Sequence, residues 1–124
     1  MPRILVVDDS LFARLNICGM LEEAGHETLH ATNGREGLEK ILTEKPDCVF
    51  TDLLMPEMDG VELLAALQER KVNLPVIVLS ADIQESKRQK CLSLGSRGFI
   101  SKPPVKEALL EAIEKALGAG KGDR

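Results

Sequence analysis

A chain of 124 residues with 44% hydrophobic content has the size of one domain around one continuous core and is too short for two. Twenty acidic against 16 basic side chains leave a net charge of −4, and the lack of a lysine or arginine run, with three phenylalanines as the only aromatics, argues against direct nucleic-acid binding. The N-terminus has no charged-then-apolar leader pattern and no apolar stretch approaches the ~18 residues of a membrane span, so a cytoplasmic protein without membrane insertion is expected.

In chain order, "RILVV" (3–7) is a continuously apolar run of strand length, ending in Asp8-Asp9. "SLFARLNICGMLEEAG" (10–25) carries apolar residues at three- and four-residue spacing and reads as a helix. Within it Ser10 or Asp9 could cap the first turn, and Arg14 reads as a helix-surface residue open to a docking partner. "HETLH" (26–30) is the weakest strand, expected at a sheet edge, with His26 and His30 as surface histidines. A helix over 33–46 leads to "DCVFT" (47–51), a strand followed at once by Asp52. A helix over 60–71, the strand "PVIVLS" (75–80) and a helix over 83–95 come next. The strand "GFIS" (98–101) then runs into Lys102, and a helix over 105–117 completes a domain of residues 1–117. The Gly-rich tail 118–124 is expected to be flexible. Cys18, Cys48 and Cys91 are an odd count without metal-type spacing and read as small buried thiols, which suit a reducing compartment.

Five strand-then-helix units in strict alternation predict an α/β domain, a doubly wound parallel sheet with helices on both faces and right-handed crossovers. In such a sheet functional groups gather at the carboxyl ends of the strands. Those ends carry Asp8 and Asp9, Asp52, Ser80 and Lys102. Two carboxylates ~4 Å apart repel by about 4 kcal/mol at an effective dielectric near 20, so three together call for a cation. An oxygen-seeking divalent ion is implied, and Mg2+ suits because it takes one or two carboxylates and keeps positions for water and phosphate oxygens. Ser80 and Lys102 then read as partners for an anion.

The motifs "ILVVDDS", "TDLLMPEMDG", "LSA" and "FISKP", in this order and spacing, resemble the receiver domain of two-component response regulators, specifically the CheY-like single-domain type. The resemblance spans essentially the whole chain and implies a flavodoxin-like sheet of order 2-1-3-4-5 with five helices. It implies that Asp52 is the phosphoacceptor, taking a phosphoryl group from a sensor histidine kinase. It further implies that Asp8, Asp9, Asp52 and the backbone carbonyl of Leu54 hold Mg2+, that Ser80 and Lys102 bind the phosphoryl oxygens, and that Ser80 and Phe99 are the switch positions. An output protein would bind through the fourth helix, fifth strand and fifth helix of a protein expected to be monomeric.

The chemistry agrees with that resemblance. Phosphoryl transfer asks for in-line positioning and neutralisation of the equatorial oxygens, which a cation, Lys102 and the Ser80 hydroxyl can share. A carboxylate forms a reactive acyl phosphate, a temporary mark suited to signalling. An enzyme with its own turnover is not expected, because "TDLLMP" sets no second acid/base carboxylate next to the nucleophile. A module that binds partners without phosphate is argued against by the intact acidic set. Leu54 stands two past the acceptor, where a bulky apolar lid should slow attack by water, while Asp82 stands two past Ser80. The segment "SADIQESKRQKCLSLGSRGFISKPP" also resembles regulators whose dephosphorylation is left to a separate phosphatase. Phe99 lacks a phenol oxygen, so a switch there relies on burial of the ring. Because Lys102 must point into the site while "KPP" reverses the chain, a cis Lys102-Pro103 bond is expected.

Overall fold

Ten elements alternate along the chain in the computed structural model, which describes residues 2–81 and 84–122. They are β1 (Arg3–Val7), α1 (Leu11–Glu23), β2 (Glu27–Ala31), α2 (Gly34–Glu44), β3 (Cys48–Asp52), α3 (Gly60–Glu69), β4 (Val76–Ser80), α4 (Glu85–Ser93), β5 (Gly98–Ser101) and α5 (Lys106–Gly122). All pairings are parallel and the sheet order is β2-β1-β3-β4-β5, the doubly wound α/β architecture expected from the alternation. No helix among the described residues is long and apolar enough to cross a membrane.

The continuous apolar runs follow from a sheet covered on both faces. Successive strand residues point to opposite sides, and the core divides accordingly. Leu5, Val7, Val49, Val76 and Val78 pack with Leu38, Ile41, Leu63 and Leu67 of α2 and α3. Ile4, Val6, Cys48, Phe50, Ile77 and Leu79 pack on the other face with Ile17 and Leu21 of α1 and Leu109 and Ile113 of α5. All three cysteines are buried, and burial pushes the Cys18 thiol up to about 11 and the Cys48 thiol up to about 12.

Element ends are set locally, and several depart from the sequence expectation. Ser10 caps α1 by accepting from the Ala13 N–H (3.2 Å), which leaves Asp9 outside the cap. Asp59 and Glu62 close a reciprocal capping box at α3. Asp52 belongs to β3 rather than following it, because its backbone still pairs with Leu79 of β4. The helix expected from residue 83 starts at Glu85, and α5 runs to Gly122, past the Leu117 boundary drawn from the sequence. Gly118 and Gly120 each weaken a helix by about 1 kcal/mol relative to alanine, and no proline stops it. Asp82 and residues 123–124 lie outside the described residues.

β2 is an edge strand, paired with β1 alone. His26 just before it and His30 within it are not surface groups: both are half-buried, His26 keeps a buried Nδ1 without a hydrogen-bond partner among the described residues, and His30 Nδ1 lies 4.0 Å from the Cys18 sulfur. Packing of α1 against β2 brings Cys18 to His30, which strand periodicity at an edge could not reveal. Gly60 starts α3 against the end of β3, its N–H donating to the Leu53 carbonyl (2.8 Å). A Cβ there would stand 2.6 Å from the Asp52 carbonyl oxygen and 3.0 Å from the Leu53 Cα. Gly60→Ala should therefore displace the β3 end and lower stability by about 1–3 kcal/mol, read as a lower urea midpoint at unchanged slope.

Candidate functional site

Register places the site. Val7 pairs with Thr51, so Asp8 and Asp52 are the next residues on neighbouring strands. Ser80 pairs with Ser101, which brings Lys102 to the same edge, and the Lys102 N–H donates to the Ser80 carbonyl (3.0 Å). The Lys102-Pro103 peptide is cis, as expected from "KPP". The order reverses at β1, whose neighbours are β2 and β3, and the acidic groups stand at that switch point.

The Lys102 ammonium is the centre of the cluster. Its Nζ donates to Asp8 Oδ2 at 2.6 Å and lies 3.3 Å from Asp52 Oδ2. Asp8 is 1% exposed, and its other oxygen accepts from the Ser10 N–H (2.9 Å). Asp52 Oδ1 accepts from the Leu53 N–H (2.8 Å). Asp9 is exposed, yet Asp8, Asp9 and Asp52 each bring a carboxylate oxygen within 4.8 Å of the others. Mg2+ binds oxygens at 2.0–2.1 Å, so its ligand oxygens stand no more than about 4.2 Å apart. Three hard oxygen donors of this kind, one of them exposed and free of other side-chain bonds among the described residues, suit such an ion. Ser80 is buried at the end of β4 and lines, with Asp52, Leu54, Gln84, Lys87 and Lys102, a cleft of about 290 Å³.

Burial pushes the Asp52 carboxyl above its usual range; Lys102 and the Leu53 N–H pull it back without cancelling the effect, and Asp8 adds to it. Burial draws the Lys102 ammonium down, but the hydrogen bond to Asp8 and the charges of Asp52 and Asp8 outweigh it, leaving Lys102 above its ordinary value. Pairing wins at Lys102 and burial wins at Asp52. The geometry accounts for the inequality: the ammonium has two carboxylates, whereas Asp52 shares one ammonium with a competing carboxylate. Lys102 is thus cationic throughout the neutral range, and Asp52 is a carboxylate poorly satisfied by protein groups alone.

Of the residues singled out in the sequence, Asp8, Asp9, Asp52, Ser80 and Lys102 meet at this edge, and Leu54, 68% exposed, stands at its mouth. Phe99 does not line the cleft. It pairs with Val78 on the far side of the register, packs against the α2–α3–α4 face of the core, and carries the Arg88 guanidinium 5.6 Å from its ring centroid. Arg14 is corrected: it is 8% exposed rather than on the helix surface, and its Nη1 donates to the Asp8 carbonyl (2.8 Å). Helical side chains lean toward the N-terminus of the helix, so its place one turn after the cap carried the missed signal. Lys87 and Gln84, on the α4 side of the cleft, are also absent from the sequence-derived set, because nothing in their spacing ties them to β3.

The family model for the response regulator receiver domain matches residues 4–114. The chain is 37% identical to the chemotaxis protein CheY of Thermotoga maritima over 114 residues, 91% of this chain and 95% of that protein. It is 41% identical to a protein-glutamate methylesterase/protein-glutamine glutaminase of Archaeoglobus fulgidus over 118 residues, 93% of this chain and 34% of that longer protein. Among solved structures, a CheY-like response regulator receiver domain protein from Methanospirillum hungatei superposes with a TM-score of 0.93 at 28% identity, covering 100% of this chain and 99% of that one.

The raised Asp52 carboxyl has a consequence for stability. Its folded state holds a proton more tightly than the unfolded chain, so its contribution is favourable below the unfolded carboxyl pKa and is lost as pH rises through the folded value. Asp52→Asn removes that loss while Lys102 keeps Asp8. In metal-free buffer at pH 7 the variant should melt a few degrees higher than wild type, the size of an effect on the order of 1 kcal/mol. The gain should vanish on acidification below the carboxylate range, as followed by circular dichroism.

Proposed function

The chain belongs to the response regulator receiver domain family, CheY-like and of two-component signalling, and from that premise we propose that Asp52 accepts a phosphoryl group from a sensor histidine kinase. The observation that carries this is the bridging of Asp8 and Asp52 by Lys102 at the mouth of a cleft that buried Ser80 also lines. An Asp52 oxygen attacks phosphorus in line, the bond to the donor imidazole breaks, and the imidazole nitrogen takes the electron pair. The Lys102 ammonium meets one equatorial oxygen and the Ser80 hydroxyl donates to another, so charge developing on the transferred group is met by fixed donors. Held by Asp8, Asp9, Asp52 and the Leu54 carbonyl, Mg2+ would supply the remaining neutralisation.

Within this proposal the protein is a switch rather than an enzyme with turnover of its own: Asp52 is the nucleophile, and the neighbouring Asp8 and Asp9 serve as cation ligands. Its output would pass to a partner on the α4–β5–α5 face. There Phe99, half-buried under Arg88, borders a groove of about 550 Å³ that also includes Arg97, Glu111 and Lys115. Full burial of a phenylalanine is worth roughly 1.5–3 kcal/mol, so completing the burial of a half-buried ring is worth about half of that, enough to bias a two-state equilibrium several-fold. Leu54 would govern the lifetime of the mark by hindering an in-line water; in support, its exposed side chain lines the cleft together with Asp52.

Incubation with acetyl phosphate and Mg2+ should add one phosphoryl mass to wild type and none to Asp52→Asn, read by intact-protein mass spectrometry; equal labelling of the variant would remove Asp52 from the role.

Leu54→Asn should shorten the lifetime of the phosphorylated protein about tenfold, equivalent to ~1.4 kcal/mol of barrier, with Mg2+ affinity nearly unchanged. Decay of radiolabel no faster than in wild type would show that Leu54 is not the shield.

A further inference from the structure

We propose that Arg14 is a positioning residue for the cation and phosphoryl site, acting through the Asp8–Asp9 peptide; this rests on the proposed role of the acidic trio. Arg14 is buried, and among the described residues no carboxylate lies within ion-pair distance of it. Its Nε is buried without a hydrogen-bond partner. A guanidinium held in this way is costly, since one of its donors is unmet and no carboxylate is paired with it directly. A methionine would fill similar volume without either cost, so the polar head must be used where it does bond.

That place is the Asp8 carbonyl, which accepts from Arg14 Nη1 at 2.8 Å. The other groups of Asp8 are held elsewhere: its N–H by the Ala31 carbonyl (3.0 Å), Oδ1 by the Ser10 N–H and Oδ2 by Lys102. The carbonyl lies in one rigid plane with the nitrogen of Asp9. Fixing it fixes where the chain leaves Asp8 and where Asp9 begins. Asp9 needs this, because it is exposed and no hydrogen bond or ion pair of its side chain is present among the described residues. Arg14 therefore sets the direction of a ligand that holds itself by nothing else. Small misplacements of such a group are expensive in a site that works by positioning.

Charge and positioning predict opposite outcomes, which makes the role testable. A cation beside three carboxylates opposes Mg2+ by charge alone, so neutralising it would tighten binding if charge were all that mattered. Positioning predicts weaker binding. Isothermal titration of Mg2+ into the whole chain should give a dissociation constant about tenfold higher for Arg14→Gln. Arg14→Lys should lose about threefold, as a point donor reaches the carbonyl without the planar fork. In the metal-free protein, amide exchange at Ser10, whose N–H rests on Asp8, should be about tenfold faster in Arg14→Gln. A folded Arg14→Gln that binds Mg2+ as wild type does, or more tightly, or that leaves Ser10 exchange unchanged, would overturn the inference while the acidic trio stood. If Arg14→Gln does not fold, wild-type affinity in Arg14→Lys overturns it. No Mg2+ binding by wild type would overturn the trio and this inference together.

Discussion

One ammonium decides what the carboxyl edge of this sheet can be. Lys102 reaches two carboxylates of different strands, Asp8 at 2.6 Å and Asp52 at 3.3 Å, and without it the two would repel at short range in a partly dried site. The bridge ties the end of β5 to the ends of β1 and β3, passing the Ser80 end of β4 between them. It is an unequal bridge. Asp8 is buried and holds the shorter contact, so Asp52 keeps a charge that the protein alone satisfies poorly. A carboxylate left in that condition is available for a cation, and under the proposed function for phosphorus.

The fold concentrates charge because its core leaves no other place for it. Strands buried on both faces carry apolar residues at every position until their ends, and parallel pairing puts all those ends on one side. Close packing then holds the edge in register. α3 begins against the Asp52 carbonyl, where only a glycine fits, and Thr51 turns its hydroxyl to the same carbonyl at 2.9 Å. Under the proposed function a change at Ser80 has a short route outward, since Ser80 stands opposite Ser101 and Phe99 opposite Val78 on the same pair of strands. Arg88 over the Phe99 ring joins α4 to that route.

Much of this is legible in the sequence. Unbroken apolar runs of strand length and helical spacing between them are local signals, and each is produced by the environment it predicts: a strand with two covered faces has no polar positions to alternate. Asp8, Asp52, Ser80 and Lys102 stood out because charge or hydroxyl at the end of such a run is out of place unless the ends converge. Strand alternation with helices made them converge, and the cis bond followed from "KPP" beside a lysine that must face inward. Less was legible where a residue's role depends on what another element lays over it. Arg14 and His26 sit in patterns that read as surface, and both are covered by packing the pattern does not record.

The sequence by itself determined the elements, their order and the residues at the strand ends, because these depend on neighbours a few positions away. Only the tertiary structure decided how those residues share their charges. Lys102 and Asp8 are 94 positions apart, and nothing local says that the ammonium sits nearer Asp8 than Asp52, that Asp9 is exposed beside them, or that Arg14 turns back onto the Asp8 carbonyl. Distances of that kind are set by how helices and strands pack to fill a core at near-crystalline density, and they decide which carboxylate is held and which is left to react.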